Sequence, residues 1–122
     1  VPCQRLDNIV DANLTYAIAK LDVEGFELPV LKGAHHLLSQ HQIEVLILEI
    51  NGASHRYGIH ADDIISYLNG LGYTSFSYDA ETHQLTPTDS GWDNVLFISQ
   101  SHLDKVRSRL AEESKAVSQH VA

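Results

Sequence analysis

The sequence contains no methionine, one cysteine, one tryptophan and three prolines, and it sets only eight Lys and Arg against sixteen Asp and Glu. Each shortage excludes something. A lone Cys3 has no partner for a disulfide and forms no cysteine metal cluster, so the chain suits a reducing compartment and is expected in the cytoplasm. A formal charge of −8 argues against nucleic acid, whose affinity rests on cationic contacts to phosphate. It also argues against anionic membrane surfaces. No apolar run approaches the ~20 residues of a membrane helix, and no basic-then-apolar signal segment opens the chain. With no Met even at position 1, the chain is expected to be either processed or a piece of something longer. What is present, 122 residues of which 43% are apolar, suffices for one domain around one core.

The chain is organised around residues 17–34. Ala17 to Asp22 is a short, largely apolar run that reads as a buried interior strand. Phe26, Val30, Ala34, Leu37 and Leu38 then recur at helical spacing, predicting a helix from about Phe26 to His41. Pro29 falls in its first turn, where a missing N–H is tolerated. Gly33 costs about 1 kcal/mol relative to Ala inside a helix, which a close helix-to-sheet approach would justify. Between strand and helix sit Asp22, Glu24 and Glu27, at the carboxyl end of a strand, where ligands bind in open α/β sheets.

Upstream, Asp7 caps or opens a short helix through about Asn13. Downstream, Ile43 to Ile50 is apolar on both faces, the pattern of a parallel strand covered on both sides. Residues 51–58 form a loop at its carboxyl end. Ile64, Ile65, Leu68 and Leu71 predict a helix over His60–Leu71, closed by Gly70 and Gly72. Strands follow at Thr74–Tyr78 and Asn94–Ser99, separated by a turn near 79–84 and a polar loop over 86–92. No helix intervenes, so the two strands are expected to pair antiparallel. A last helix starts near His102, with a tail that frays after Glu113.

Lys20-Leu21-Asp22-Val23-Glu24-Gly25-Phe26-Glu27, followed by Val30-Leu31-Lys32-Gly33-Ala34, resembles the signature of the FkbM-type S-adenosylmethionine-dependent methyltransferases. Arg5-Leu6-Asp7-Asn8-Ile9-Val10, Glu44 to Asn51, Gly72-Tyr73 and Asn94-Val95-Leu96-Phe97 also fall in that family's order. The resemblance implies an α/β, Rossmann-like class I methyltransferase fold. The β-α-β-α-β-β order matches its carboxyl-terminal half: two parallel strands plus an antiparallel terminal hairpin, with flanking helices. The family's glycine-rich cofactor loop has no counterpart here. Residues 1–122 are therefore expected to be a single partial domain lacking the amino-terminal cofactor-binding half. The implied reaction is methyl transfer from S-adenosylmethionine to a hydroxyl of a small molecule, a sugar or a secondary metabolite. The alternative is a non-catalytic α/β interaction module or degenerate methyltransferase.

Asp22 is the first candidate, for catalysis and for cofactor binding. Its other reading is a helix cap. Glu24 is a second catalytic candidate or a partner of the helix dipole, and Glu27 reads as structural. Glu49 and Asn51 end the next strand on one side, at the same sheet edge as Asp22, and are candidates for binding substrate. With Asp22 they are also weak candidates for Mg²⁺, which takes oxygen ligands; the other reading is loop ordering and a turn. His55 is a candidate general base, Tyr57 a wall of the acceptor pocket, and Trp92 a packing residue of its loop. His35 and His36 point apart and do not share a metal. Finally, the Ala17–Asp22 strand has no upstream neighbour long enough to cover it, so its edge is expected to pair with a second copy in a homodimer.

Overall fold

A computed structural model describes residues 3–11, 13–50, 58, 60–89 and 93–121. The elements run α1 (Leu6–Ile9), β1 (Tyr16–Leu21), α2 (Glu27–Lys32), α3 (His35–Ser39), β2 (Ile43–Ile50), α4 (Ala61–Gly70), β3 (Tyr73–Asp79), β4 (Gln84–Pro87), β5 (Asp93–Ser99) and α5 (Leu103–Val121). The strands form one mixed sheet in the order β1-β2-β5-β3-β4, so the chain is an α/β domain. β1 and β2 are parallel, with Leu21 beside Leu48. β5 inserts between β2 and β3, antiparallel to both.

Alternation along the strands sorts two cores. On one face Leu46, Leu48, Ile50, Val95, Phe97 and Tyr73 pack with Leu31, Leu37 and Leu38 from α2 and α3 and with Ile64, Ile65 and Leu68 from α4. On the other, Val45, Phe76 and Ile98 pack under Leu103 and Val106 of α5, and the Arg107 guanidinium lies 5.6 Å from the centre of the Phe76 ring. The Tyr73 phenol donates to the Ile43 carbonyl across the first core; burial pushes its pKa up.

The single helix expected over residues 26–41 is two helices. In an unbroken helix the Lys32 and Gly33 carbonyls would accept from the N–H groups of His36 and Leu37. Here the Arg5 guanidinium donates to the Lys32 carbonyl at 3.2 Å, and the Asp7 N–H donates to the Gly33 carbonyl at 3.0 Å. The displaced N–H groups of His36 and Leu37 go instead to the Asp7 carboxylate, at 3.0 and 3.1 Å. Asp7 thus caps α3 from 30 residues away, not the helix it sits in, which ends at Ile9. A Cβ on Gly33 would meet the Val30 carbonyl first, at 3.3 Å, and the Arg5 Cα at an ordinary 3.6 Å, so the tight contact is with the preceding turn of α2, not with the sheet.

β2 is parallel to β1, as its apolar run predicts, and the antiparallel β5 takes its other side. Three other expectations change. Residues 84–87, expected as turn and loop, form β4, paired with β3 from Asp79↔Gln84 to Phe76↔Pro87. A carboxylate of Asp79 takes the Glu81 and Thr82 N–H groups and closes that hairpin; those two bonds hold its pKa below the usual carboxylate value. α5 continues to Val121. β1, expected as a buried strand, contains no buried residue, and Ile18 is 65% exposed.

Candidate functional site

The strand-to-helix turn after β1 carries the first candidates. Asp22, Val23 and Glu24 are exposed. Glu24 adopts φ +49° and Gly25 φ +100°. Glycine takes that conformation freely, but for Glu24 it carries a steric cost of about 1–3 kcal/mol. Glu27, the first residue of α2, is 3% exposed, and its carboxylate accepts from the Gly25 N–H at 3.3 Å. Glu27 therefore ties the helix start to the turn, the structural role expected of it. Leu31, one turn further on, is fully buried.

The pairing of the sheet brings a second carboxylate beside the first. Leu21, the last residue of β1, lies opposite Leu48; continuing that register one position past the strand end sets Asp22 beside Glu49. Glu49 in turn pairs with Asn94 of β5. Alternation puts Asp22, Glu49 and Asn94 on one face, the α5 face, at one edge of the sheet. Asp22 and Asn94 are exposed and Glu49 is half-buried. The arrangement offers two anionic acceptors and one neutral amide, a donor and an acceptor at once. It can hold a hydroxyl group, receive its proton, or sit opposite a cation.

Asn94 was missed by sequence reasoning because only the insertion of β5 beside β2 brings it here. Its signal was its place at the head of the Asn94-Val95-Leu96-Phe97 run. Asn51, His55 and Tyr57, and with them Trp92, lie outside the described residues. Among the described residues, no group of three or more His, Cys, Asp or Glu side chains is arranged to hold a metal ion. Nothing among the described residues therefore supports the Mg²⁺ reading.

Another cluster, at the opposite edge of the sheet, has the residue types of a nucleophilic triad. Ser99 Oγ and His102 Nδ1 share a hydrogen bond, and His102 Nε2 lies 3.9 Å from Glu44. Ser99 is completely buried, so no substrate reaches its hydroxyl. The cluster anchors α5 instead: Lys105 Nζ donates to the buried Glu44 carboxylate at 2.7 Å, and that bond holds the Glu44 pKa below its ordinary value. Beside it His41 bridges Ser101 Oγ and the Leu71 carbonyl. A carbonyl only accepts, so His41 Nε2 carries a proton.

The fold and this strand-end site define an α/β domain with acidic and amide groups gathered at the carboxyl end of a parallel strand pair. The methyltransferase FkbM domain matches residues 1–75, and the chain belongs to that family. No curated protein and no solved structure matches it. No helix among the described residues is long and apolar enough to cross a membrane.

Proposed function

We propose that the chain is the acceptor-side, carboxyl-terminal half of a Rossmann-like, S-adenosylmethionine-dependent O-methyltransferase, working in the cytoplasm on a small-molecule hydroxyl. The observation that carries this reading is the row Asp22–Glu49–Asn94 at the end of the parallel pair, in a chain of this family. The sheet order also supports it, since β5 enters antiparallel beside the parallel strands. The residues present fit the cofactor by charge: exposed Asp22 and Glu24 suit a sulfonium cation, while the glycine-rich cradle for its amino-acid end is not in this sequence. S-adenosylmethionine, when bound, supplies an electrophilic methyl group.

The chain's own residues then align and deprotonate the acceptor. Asn94 and Glu49 hold the hydroxyl and fix its approach, which lowers the barrier by orientation. The Asp22 carboxylate would receive the acceptor's hydroxyl proton. Glu27 keeps the Asp22 turn in place through the Gly25 N–H. The free edge of β1 is proposed to pair with a second copy when the chain is alone.

The test compares two variants in a polypeptide that also carries the glycine-rich half. Asp22→Ala should cut turnover at least a hundredfold with little change in Tm. Leu31→Ala should cost roughly 2–5 kcal/mol of stability and leave the turnover of folded molecules near its original value. A fully active Asp22→Ala protein that melts early would reduce Asp22 to a structural cap.

A further inference from the structure

The turn from Asp22 to Gly25 is bracketed by two residues, Leu21 and Phe26, that both line a cleft of about 470 Å³. That volume lies in the ~300–1,000 Å³ range of small-molecule sites. The cleft runs between the segment at residues 3–6 and helix α2, with Leu6, Pro29 and Val30 completing its apolar wall and Gly33 at its floor. Phe26 keeps 47% of its surface exposed. Arg5 stands at the cleft with its side chain 62% exposed, yet it is held in position by the Lys32 carbonyl at 3.2 Å and the Asp7 carboxylate at 3.8 Å. Among the described residues no carboxylate lines the cleft, in a chain of net charge −8.

Resting on the methyltransferase reading, we propose that this cleft is the acceptor subsite and that it takes an aromatic ring, so that the acceptor is an aryl alcohol or phenol and not a sugar. A sugar ring presents hydroxyls on every side, and burying them without partners forfeits their hydrogen bonds to water. Among the described residues the cleft answers with the Gln4 amide, the Cys3 thiol and the Arg5 guanidinium, against five apolar side chains. A flat ring suits the same lining. Its edge and faces pack against Leu6, Leu21, Pro29 and Val30, Phe26 offers an aromatic contact, and a positioned guanidinium favours a π face. A ring seated there lies against Leu21 and Phe26, the two residues that bracket the Asp22–Gly25 turn.

The experiment needs no cofactor. Amide NMR spectra of the ¹⁵N-labelled 122-residue chain are titrated with 2-naphthol and, separately, with methyl α-glucopyranoside. Naphthol should shift the Leu21, Phe26, Val30 and Gly33 amides saturably, and the glucoside should leave them in place. Val30→Trp, which fills the cleft, should weaken naphthol at least tenfold. If that variant fails to fold, Phe26→Ser, at a half-exposed position, should weaken it about threefold or more. The proposal is overturned if naphthol shifts none of these amides, if folded variants bind it unchanged, or if the glucoside moves the same amides. Naphthol binding without methyl transfer in the complete enzyme would sink the functional reading and leave the cleft assignment standing. Methyl transfer to sugars without naphthol binding would do the reverse.

Discussion

At the β5–β3 end of the sheet Val95, Phe97, Ile98, Tyr73 and Phe76 are all at most 2% exposed, with α4 on one face and α5 on the other. β1 itself contains no buried residue. Five of the six exposed large apolar residues among those described, Ile9, Leu14, Ile18, Val23 and Phe26, fall between positions 9 and 26. Both ends are built from similarly apolar strands, so hydrophobicity alone does not decide burial. The first end is a closed core that sustains the fold. The second presents apolar surface and an open strand edge beside the candidate site, and carries few of the devices that guard such edges, Lys20 being its one charged residue.

The largest effect that tests this contrast is a pair of truncations. Phe97→Ala, in the closed core, should cost about 3–5 kcal/mol in denaturant unfolding, whereas Ile18→Ala should stay within about 0.5 kcal/mol. A costly Ile18→Ala would mean that the β1 face is covered in solution. Next, Asp7→Ala removes the cap of α3 and should cost about 1–2 kcal/mol, with amide exchange accelerated first at His36 and Leu37. Unchanged protection there would show that α2 and α3 close into one helix without Asp7.

A smaller effect belongs to Lys105→Ala, which leaves the Glu44 carboxylate without its ammonium. The loss should be about 1–2 kcal/mol at neutral pH, below the figure for fully buried pairs, because Lys105 is 46% exposed and screened by water. The sign follows from the lowered Glu44 pKa. This stabilisation is fully present above the ordinary value of 4.5 and disappears as pH falls through the lower folded value. Lys105→Ala should therefore flatten the loss of stability on acidification; an unaltered acid profile would show that the pair contributes nothing. The smallest effect on stability, and the most direct on the open edge, is that of Ile18→Lys. Sedimentation should show concentration-dependent association of the original chain and a monomer for the variant. A concentration-independent monomer in both, with β1 amides protected, would show the edge already covered.

Much of the fold was legible. Residues 43–50 read as a strand because six of the eight positions are apolar, broken only by Glu44 and Glu49, and the stripe of Ile64, Ile65 and Leu68 named the face of α4. The break between α2 and α3 was not legible. Its cause is an exchange of hydrogen bonds with Arg5 and Asp7, and the periodicity of Val30, Ala34, Leu37 and Leu38 continues straight across it. β4 was hidden because Gln84–Pro87 carries a single large apolar residue, Leu85, and gains its strand character from β3. Of the site, Asp22 and Glu49 were legible from their places at two strand ends; Asn94 was not.

By itself the sequence determined the α/β class, the strand-to-helix turn at Asp22–Gly25 and the acidic character of that sheet edge. These depend on local patterns: apolar spacing, a glycine where φ turns positive, and charge density along a short segment. Only the tertiary structure decided that β5 lies between β2 and β3, which aligns Asn94 with Glu49. It also decided that residues 3–6 lie along α2, which opens the cleft beside Leu21 and Phe26. Both outcomes rest on hydrogen bonds between segments far apart in the chain, and such bonds leave no periodic trace in the residues that make them.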